Sequence, residues 1–200
     1  GTAIAAGVLY VADLNTVRMF DAKSGKPKGE IKIKDATFLN DIAVGPDGKI
    51  YVSDSALKQN DKDAFEPTGT DAVWSIAKGK ATVVRKDKSL GGPNGLLATK
   101  DGVWVVCFGS NELYRLDAKG GQADITKLPK GSLDGIVAIG DSLLVSSWES
   151  ATIYKGKPGG TFEAVITDVK APADLGYDTK RNRLLVPRFL DNEVEAYELK

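Results

Sequence analysis

Short, mainly apolar runs separated by polar and glycine-containing turns fill most of the chain, and they recur at a regular interval. LYVADL begins at Leu9, IYVSDS at Ile50, VWVVCF at Val103, LLVSSW at Leu143 and LLVPRF at Leu184. The offsets are 41, 53, 40 and 41 residues, so one unit of about 40 residues occurs five times, with an insertion of about a dozen in the second copy. A second series precedes the first: TAIAA from Thr2, NDIAV from Asn40, NGLLA from Asn94, DGIVA from Asp134 and ADLGY from Ala173. A third follows it, VRMFDA, AVWSIA, ELYRLDA, TIYKGK and EVEAYEL, and four copies add EIKI, ATVVR, ADITKL and FEAVIT.

Apolar runs this short, bounded by turn residues, predict strands. Pro46-Asp47-Gly48, Lys100-Asp101-Gly102 and Gly140-Asp141 supply suitable hairpin chemistry between the first two strands of a copy. No 3.6-residue pattern separates the units, which excludes a parallel βαβ fold, and a sandwich would not repeat so regularly. The prediction is an all-β chain forming a single β-propeller domain over residues 1–200, built of four-stranded antiparallel blades. The blades fall near residues 1–36, 37–88, 89–129, 130–170 and 171–200, the last lacking its fourth strand.

Propellers commonly close by having the opposite terminus supply the missing strand of the last blade, since an open ring leaves sheet edges exposed. Such a donor would precede Gly1, so the expectation is that an N-terminal portion of the natural protein is absent from this sequence. A five-bladed ring closed without a donor strand is the alternative. Open edges would also offer a route to self-association.

Composition then narrows the chemistry. With 42% hydrophobic and 27% charged residues, the 200-residue chain has the makings of a substantial core. Its 27 basic and 27 acidic side chains balance, which gives no electrostatic reason to bind nucleic acid or an anionic membrane. The densest basic run, KGKATVVRKDK from Lys78 to Lys88, reads as a charged outer strand. The absence of histidine excludes a Ser-His-Asp triad, a His-ligated zinc site and a histidine base within these residues. Cys107 is the one cysteine, and without an evident basic partner it is expected to be a small packed residue. No segment approaches the ~18 apolar residues of a membrane span, and the N-terminal stretch is not an intact signal peptide.

Aligning the copies puts Thr2, Asn40, Asn94, Asp134 and Ala173 in one column, followed by Ala3, Asp41, Gly95, Gly135 and Asp174. This column opens the channel-lining strand of each blade, so three neighbouring blades bring amide or carboxylate oxygens towards the axis. Asn40, Asn94 and Asp134 form a donor set that suits a hard divalent cation, Ca²⁺ foremost. Taken singly, Asn-Gly and Asp-Gly are more often turn formers; three in register point to a site.

The phrases LNDIAVGPDGKIYVSD, PNGLLATKDG, LDGIVAIGDSLLVSSW and PADLGYDTKRNRLLVPRFLDNEVEAYELK resemble those of the regucalcin and gluconolactonase family of propellers, also called the senescence marker protein family. The resemblance covers essentially the whole chain and implies a six-bladed relative, lactonase activity and a periplasmic or secreted location. It also implies a divalent cation in the channel held by one glutamate, two asparagines and one aspartate. Motif by motif, the asparagines fall on Asn40 and Asn94 and the aspartate on Asp134, while the glutamate has no counterpart.

The expected function is therefore metal-dependent hydrolysis of a small-molecule lactone or related ester, with Asp134 as catalytic base as well as ligand. A non-catalytic propeller that binds a small molecule or a protein at the same mouth is the alternative. The second strands end at Asp13, Asp54, Cys107, Ser147 and Arg188, at the same mouth. Asp41, Asp54, Asp174 and Arg188 are the candidates for substrate binding, although a turn cap at Asp41 and an Arg188–Asp174 structural pair compete with that role. Phe108, Trp148 and Phe189 follow in the next column and are expected to pack between blades, with an aromatic wall as the alternative. The insertion from Ser55 to Ala72 rises from the mouth, as a lid or as a disordered excursion.

Overall fold

The computed structural model describes residues 1–199. Every predicted copy becomes a sheet. The first is the meander β1 (Thr2–Ala5), β2 (Val8–Asp13), β3 (Thr16–Asp21) and β4 (Pro27–Lys32). The second begins with β5 (Leu39–Val44) and β6 (Ile50–Asp54). The insertion then forms its own hairpin of β7 (Leu57–Gln59) and β8 (Phe65–Pro67), and β9 (Ala72–Ala77) and β10 (Lys80–Lys86) complete the second sheet. The third holds β11 (Pro93–Thr99), β12 (Gly102–Cys107), β13 (Glu112–Leu116) and β14 (Gln122–Lys127). The fourth holds β15 (Leu133–Ile139), β16 (Ser142–Ser147), β17 (Thr152–Gly156) and β18 (Phe162–Ile166). The fifth has three strands, β19 (Gly176–Asp178), β20 (Arg183–Arg188) and β21 (Glu193–Glu198). All neighbouring pairs are antiparallel, which makes five blades of a β-propeller.

A blade's two faces are both apolar because each packs against the next blade, and the core is accordingly a series of layers between sheets. Val17, Ile33, Leu39, Ile42, Val52 and Trp74 fill the layer between the first and second blades. Val73, Leu90, Val105, Cys107, Tyr114 and Leu116 fill the next, followed by the layer of Leu113, Leu133, Val145 and Tyr154 and that of Leu144, Ile153, Leu184 and Val186. Cys107 is fully buried, its thiol donates to the Leu90 carbonyl at 3.0 Å, and burial pushes it up to about 12, so it stays an inert thiol. The basic run lies on β10, the outer strand of its sheet.

The insertion is an ordered hairpin, contrary to its reading as a disordered excursion. Its polar composition is offset by local anchors: the hydroxyls of Thr37, Thr68 and Thr70 meet at 2.8–2.9 Å, and Phe65 packs edge-on against Phe38. It borders a cavity of about 470 Å³ shared with Leu14 and Asn15 of the first blade.

Candidate functional site

Five innermost strands converge on one channel. A cavity of about 240 Å³ there is lined from every blade, by Thr2, Asp41, Leu96, Ile136, Asp174 and Leu175 among others. The column expected at the start of these strands sits instead on a repeated β-bulge inside them. Leu39 faces Asp54 while Ile42 faces Val52, so three steps on β5 match two on β6. The same extra residue occurs between Pro93 and Leu96 on β11 and between Leu133 and Ile136 on β15. Asn40-Asp41, Asn94-Gly95 and Asp134-Gly135 therefore occupy equivalent bulges, a device that re-aims a side chain and frees backbone groups from the ladder. In the fifth blade the pairing breaks between the single bridge Pro172–Arg188 and Gly176–Leu185, leaving Ala173 to Leu175 outside the strand.

Serines on the second strands satisfy the freed groups and tie one blade to the next. Ser53 Oγ accepts from the Asp41 amide at 2.9 Å and donates to the Asn94 carbonyl at 2.7 Å. Ser146 repeats the arrangement, accepting from the Gly135 amide at 2.7 Å and donating to the Ala173 carbonyl at 2.9 Å. Replacing Ser53 with Ala leaves a buried donor and a buried acceptor without partners, so Ser53→Ala is expected to lower stability by about 2 kcal/mol in urea unfolding. Sequence reasoning overlooked these hydroxyls; the signal was a Ser at the penultimate position of two second strands.

Glycine follows Asn94 and Asp134 because the inner strands nearly touch. A Cβ on Gly95 would strike the Asp134 carbonyl, and one on Gly135 would strike the Leu175 amide and, at 2.7 Å, Asp174 Cα. These approaches bring the Asn94, Asp134 and Asp174 backbones together. Asn40 joins them through its side chain: its Nδ2 donates to Ser55 Oγ at 2.9 Å, which donates to the Pro93 carbonyl at 2.6 Å.

Asn94 is 3% exposed, and its side-chain oxygen is buried without a hydrogen-bond partner among the described residues. A buried polar atom left unmatched is costly, so this oxygen fits a ligand that the mouth would receive. Among the described residues no three His, Cys, Asp or Glu side chains are grouped closely enough to hold a metal ion by themselves. A cation here would depend on the amide oxygens of Asn40 and Asn94 as well as on Asp134.

Three carboxyl groups face the channel together. Burial, reinforced by the Asp41 carboxylate, pushes Asp134 up to about 7. Asp174 is also raised, by burial and by Asp41 and Asp134, and its carboxyl group lies near enough to that of Asp41 to share a proton. Asp41 accepts from the Ile42 amide at 2.6 Å and, across the blade boundary, from the Leu96 amide at 2.7 Å. It is thus a strap between blades as well as a channel-lining acid. The Trp148 indole N–H favours the charged form of Asp134 while lying outside hydrogen-bonding geometry.

Two substrate-binding candidates have other partners. Asp54 is fully buried and accepts from the Thr37, Phe38 and Ala56 amides at 2.9–3.1 Å, holding the loop that leads into β5. Arg188 pairs with Asp191 at 2.6 Å, Glu195 at 2.9 Å and Glu193 at 3.8 Å instead of with Asp174, because β21 runs beside it and sets acids against it.

No family model matches the chain, and no curated protein sequence matches it. Solved structures do. A protein named as a gluconolactonase superposes with a TM-score of 0.71 at 20% identity, over 93% of this chain and 69% of its own. Regucalcin from Agrobacterium tumefaciens, described as a calcium-binding protein, gives 0.63 at 19% identity over 93% of this chain and 66% of its own. The fold is that of the gluconolactonase- and regucalcin-like propellers. Virginiamycin B lyase from Staphylococcus aureus, in a catalytically inactive His-to-Ala form with quinupristin, gives 0.64 at 17% identity over 100% of this chain and 80% of its own.

Proposed function

We propose that the channel mouth is the active site of a metal-dependent hydrolase acting on lactones or related esters. The observation that carries this reading is the buried, unpartnered amide oxygen of Asn94, set on a bulge between those bearing Asn40 and Asp134. Those three residues would hold a divalent cation, and oxygen donors of this kind favour Ca²⁺. Such an ion, when bound, polarises a carbonyl and lowers the pKa of water. Among the neighbours, regucalcin is a calcium-binding protein and another is named as a gluconolactonase, which supports the same direction. The lyase is a weaker guide, since a His-to-Ala form of it is inactive and these 200 residues contain no histidine.

The remaining work falls to the chain's own groups. Asp134, which faces the channel beside the bulge amides, accepts the proton of the attacking water at a carboxylate oxygen. Asp174, pushed towards its protonated form by burial and by Asp41 and Asp134, offers a hydrogen bond to a substrate oxygen. Asp41 stays bound to backbone and fixes the spacing of the second and third blades.

Calorimetric titration of Ca²⁺ into chelator-stripped protein tests the ligand set. Single-site binding, weakened at least about tenfold in Asn94→Ala, is expected; no binding, or binding unchanged in that variant, overturns the assignment. A non-catalytic propeller binding a small molecule at the same mouth is favoured only by the lack, among the described residues, of three His, Cys, Asp or Glu side chains placed to hold a metal ion by themselves. Turnover of any lactone in the presence of the ion excludes it.

A further inference from the structure

Phe108, Trp148 and Phe189 occupy equivalent positions in three consecutive blades. Each follows the last residue of a second strand, and each backbone amide donates to a carbonyl just before a channel-facing bulge or turn: Phe108 to Gly92 at 2.9 Å, Trp148 to Ser132 at 3.0 Å and Phe189 to Ala171 at 3.1 Å. These tie the aromatics to the stretches carrying Asn94, Asp134 and Asp174. The three rings form one surface, Phe108 edge-on to Trp148 at 5.7 Å and Phe189 tilted on Trp148 at 5.2 Å. Packing among the described blades does not consume them, since Phe108, between the third and fourth blades, is 36% exposed and Trp148 is half-buried. The indole N–H of Trp148 has no partner among the described residues and sits beside Asp134, so the ledge runs directly into the carboxyl cluster.

Two polar side chains at the ends of second strands are engaged elsewhere. Asp54 is buried under three amides and Arg188 is bound to three acids. Beside its acids and the Asn40 and Asn94 amides, the mouth offers a continuous area of apolar ring, which favours a flat aromatic group over a sugar. We infer that the substrate is a lactone or ester bearing an aromatic ring, seated on Phe108, Trp148 and Phe189 with its carbonyl towards Asp134. This assignment rests on the hydrolase reading for its chemistry and on the ledge alone for its binding.

The test compares dihydrocoumarin with glucono-δ-lactone in the presence of Ca²⁺, with calorimetric binding of 3-(2-hydroxyphenyl)propionate, the ring-opened aryl product, as a second readout. Dihydrocoumarin is expected to be preferred in kcat/KM. Phe189→Ala should reduce that preference about tenfold, chiefly through KM. Phe189→Tyr should keep it, and Ile125→Ala, an exposed apolar change on β14, should leave it alone. Preference for the sugar lactone, or a preference unmoved by Phe189→Ala, overturns the inference. If neither lactone is hydrolysed the hydrolase reading fails by itself, and the product titration decides the ledge: binding lost in Phe189→Ala sustains it, and no binding overturns it.

Discussion

Gly135→Ala is expected to destabilise the protein by about 3 kcal/mol or more, a larger loss than most single-methyl changes produce. The added Cβ would meet Leu175 N, Asp174 Cα and Asp174 C, all of them backbone, so no side-chain rotation can relieve the overlap. The strain has no conformational part, because Gly135 is not among the glycines of positive φ. Gly140 makes the contrast: its φ is +60° with open space around the position, so Gly140→Ala is expected to cost only about 1 kcal/mol, from the left-handed backbone alone. Urea unfolding of the two variants separates steric closeness at the axis from turn geometry at the rim. Equal midpoints would mean that the fourth and fifth blades do not approach as closely as the structure has them.

The blades were legible because short apolar runs bounded by turn residues recur at nearly constant spacing, so the insertion between β6 and β9 shifts the register without hiding it. The bulge was not. Leu39-Asn40-Asp41, Pro93-Asn94-Gly95 and Leu133-Asp134-Gly135 each set two non-apolar residues after an apolar one, which sequence alone reads equally well as the beginning of a strand. Only the pairing shows that Leu39 and Leu133 already face Asp54 and Ser147. The distinction matters to the site, because a strand start leaves its amides to solvent whereas a bulge demands partners, and Ser53 and Ser146 are those partners.

Asp54 and Arg188 illustrate the other limit. Their positions at the ends of second strands were read correctly, yet a charge at a mouth can face ligand or protein, and the choice depends on remote backbone. The amides that claim Asp54 include those of Thr37 and Phe38, in the loop before β5, and no local pattern announces them. Arg188 was closer to being readable, since pairing β20 with β21 sets Glu193 directly opposite it. The aromatic column was seen, but its exposure was not, because the same three residue types would serve equally well buried between blades.

The protein without metal should be more stable at pH 5 than at pH 8, the reverse of what paired surface carboxylates produce. Burial raises Asp134 from the ordinary carboxylate range to about 7, and Asp174 moves the same way. A folded-state pKa above the unfolded one means that the folded form holds the extra proton. The contribution is full below about pH 4, where both states are protonated, and is lost as pH rises through the folded value. Between pH 5 and 8 the loss from Asp134 alone is on the order of 3 kcal/mol. No histidine complicates that window. Asp134→Asn should therefore flatten much of the dependence, measured as urea midpoints across the range in the presence of a chelator. Saturating Ca²⁺ should invert the slope above pH 7, because a cation bound by the ionised Asp134 competes with the proton that burial favours. A stability profile that is flat from pH 5 to 8, with and without the ion, would mean that Asp134 stays ionised and that the carboxyl cluster of the second, fourth and fifth blades is solvated more fully than its packing allows.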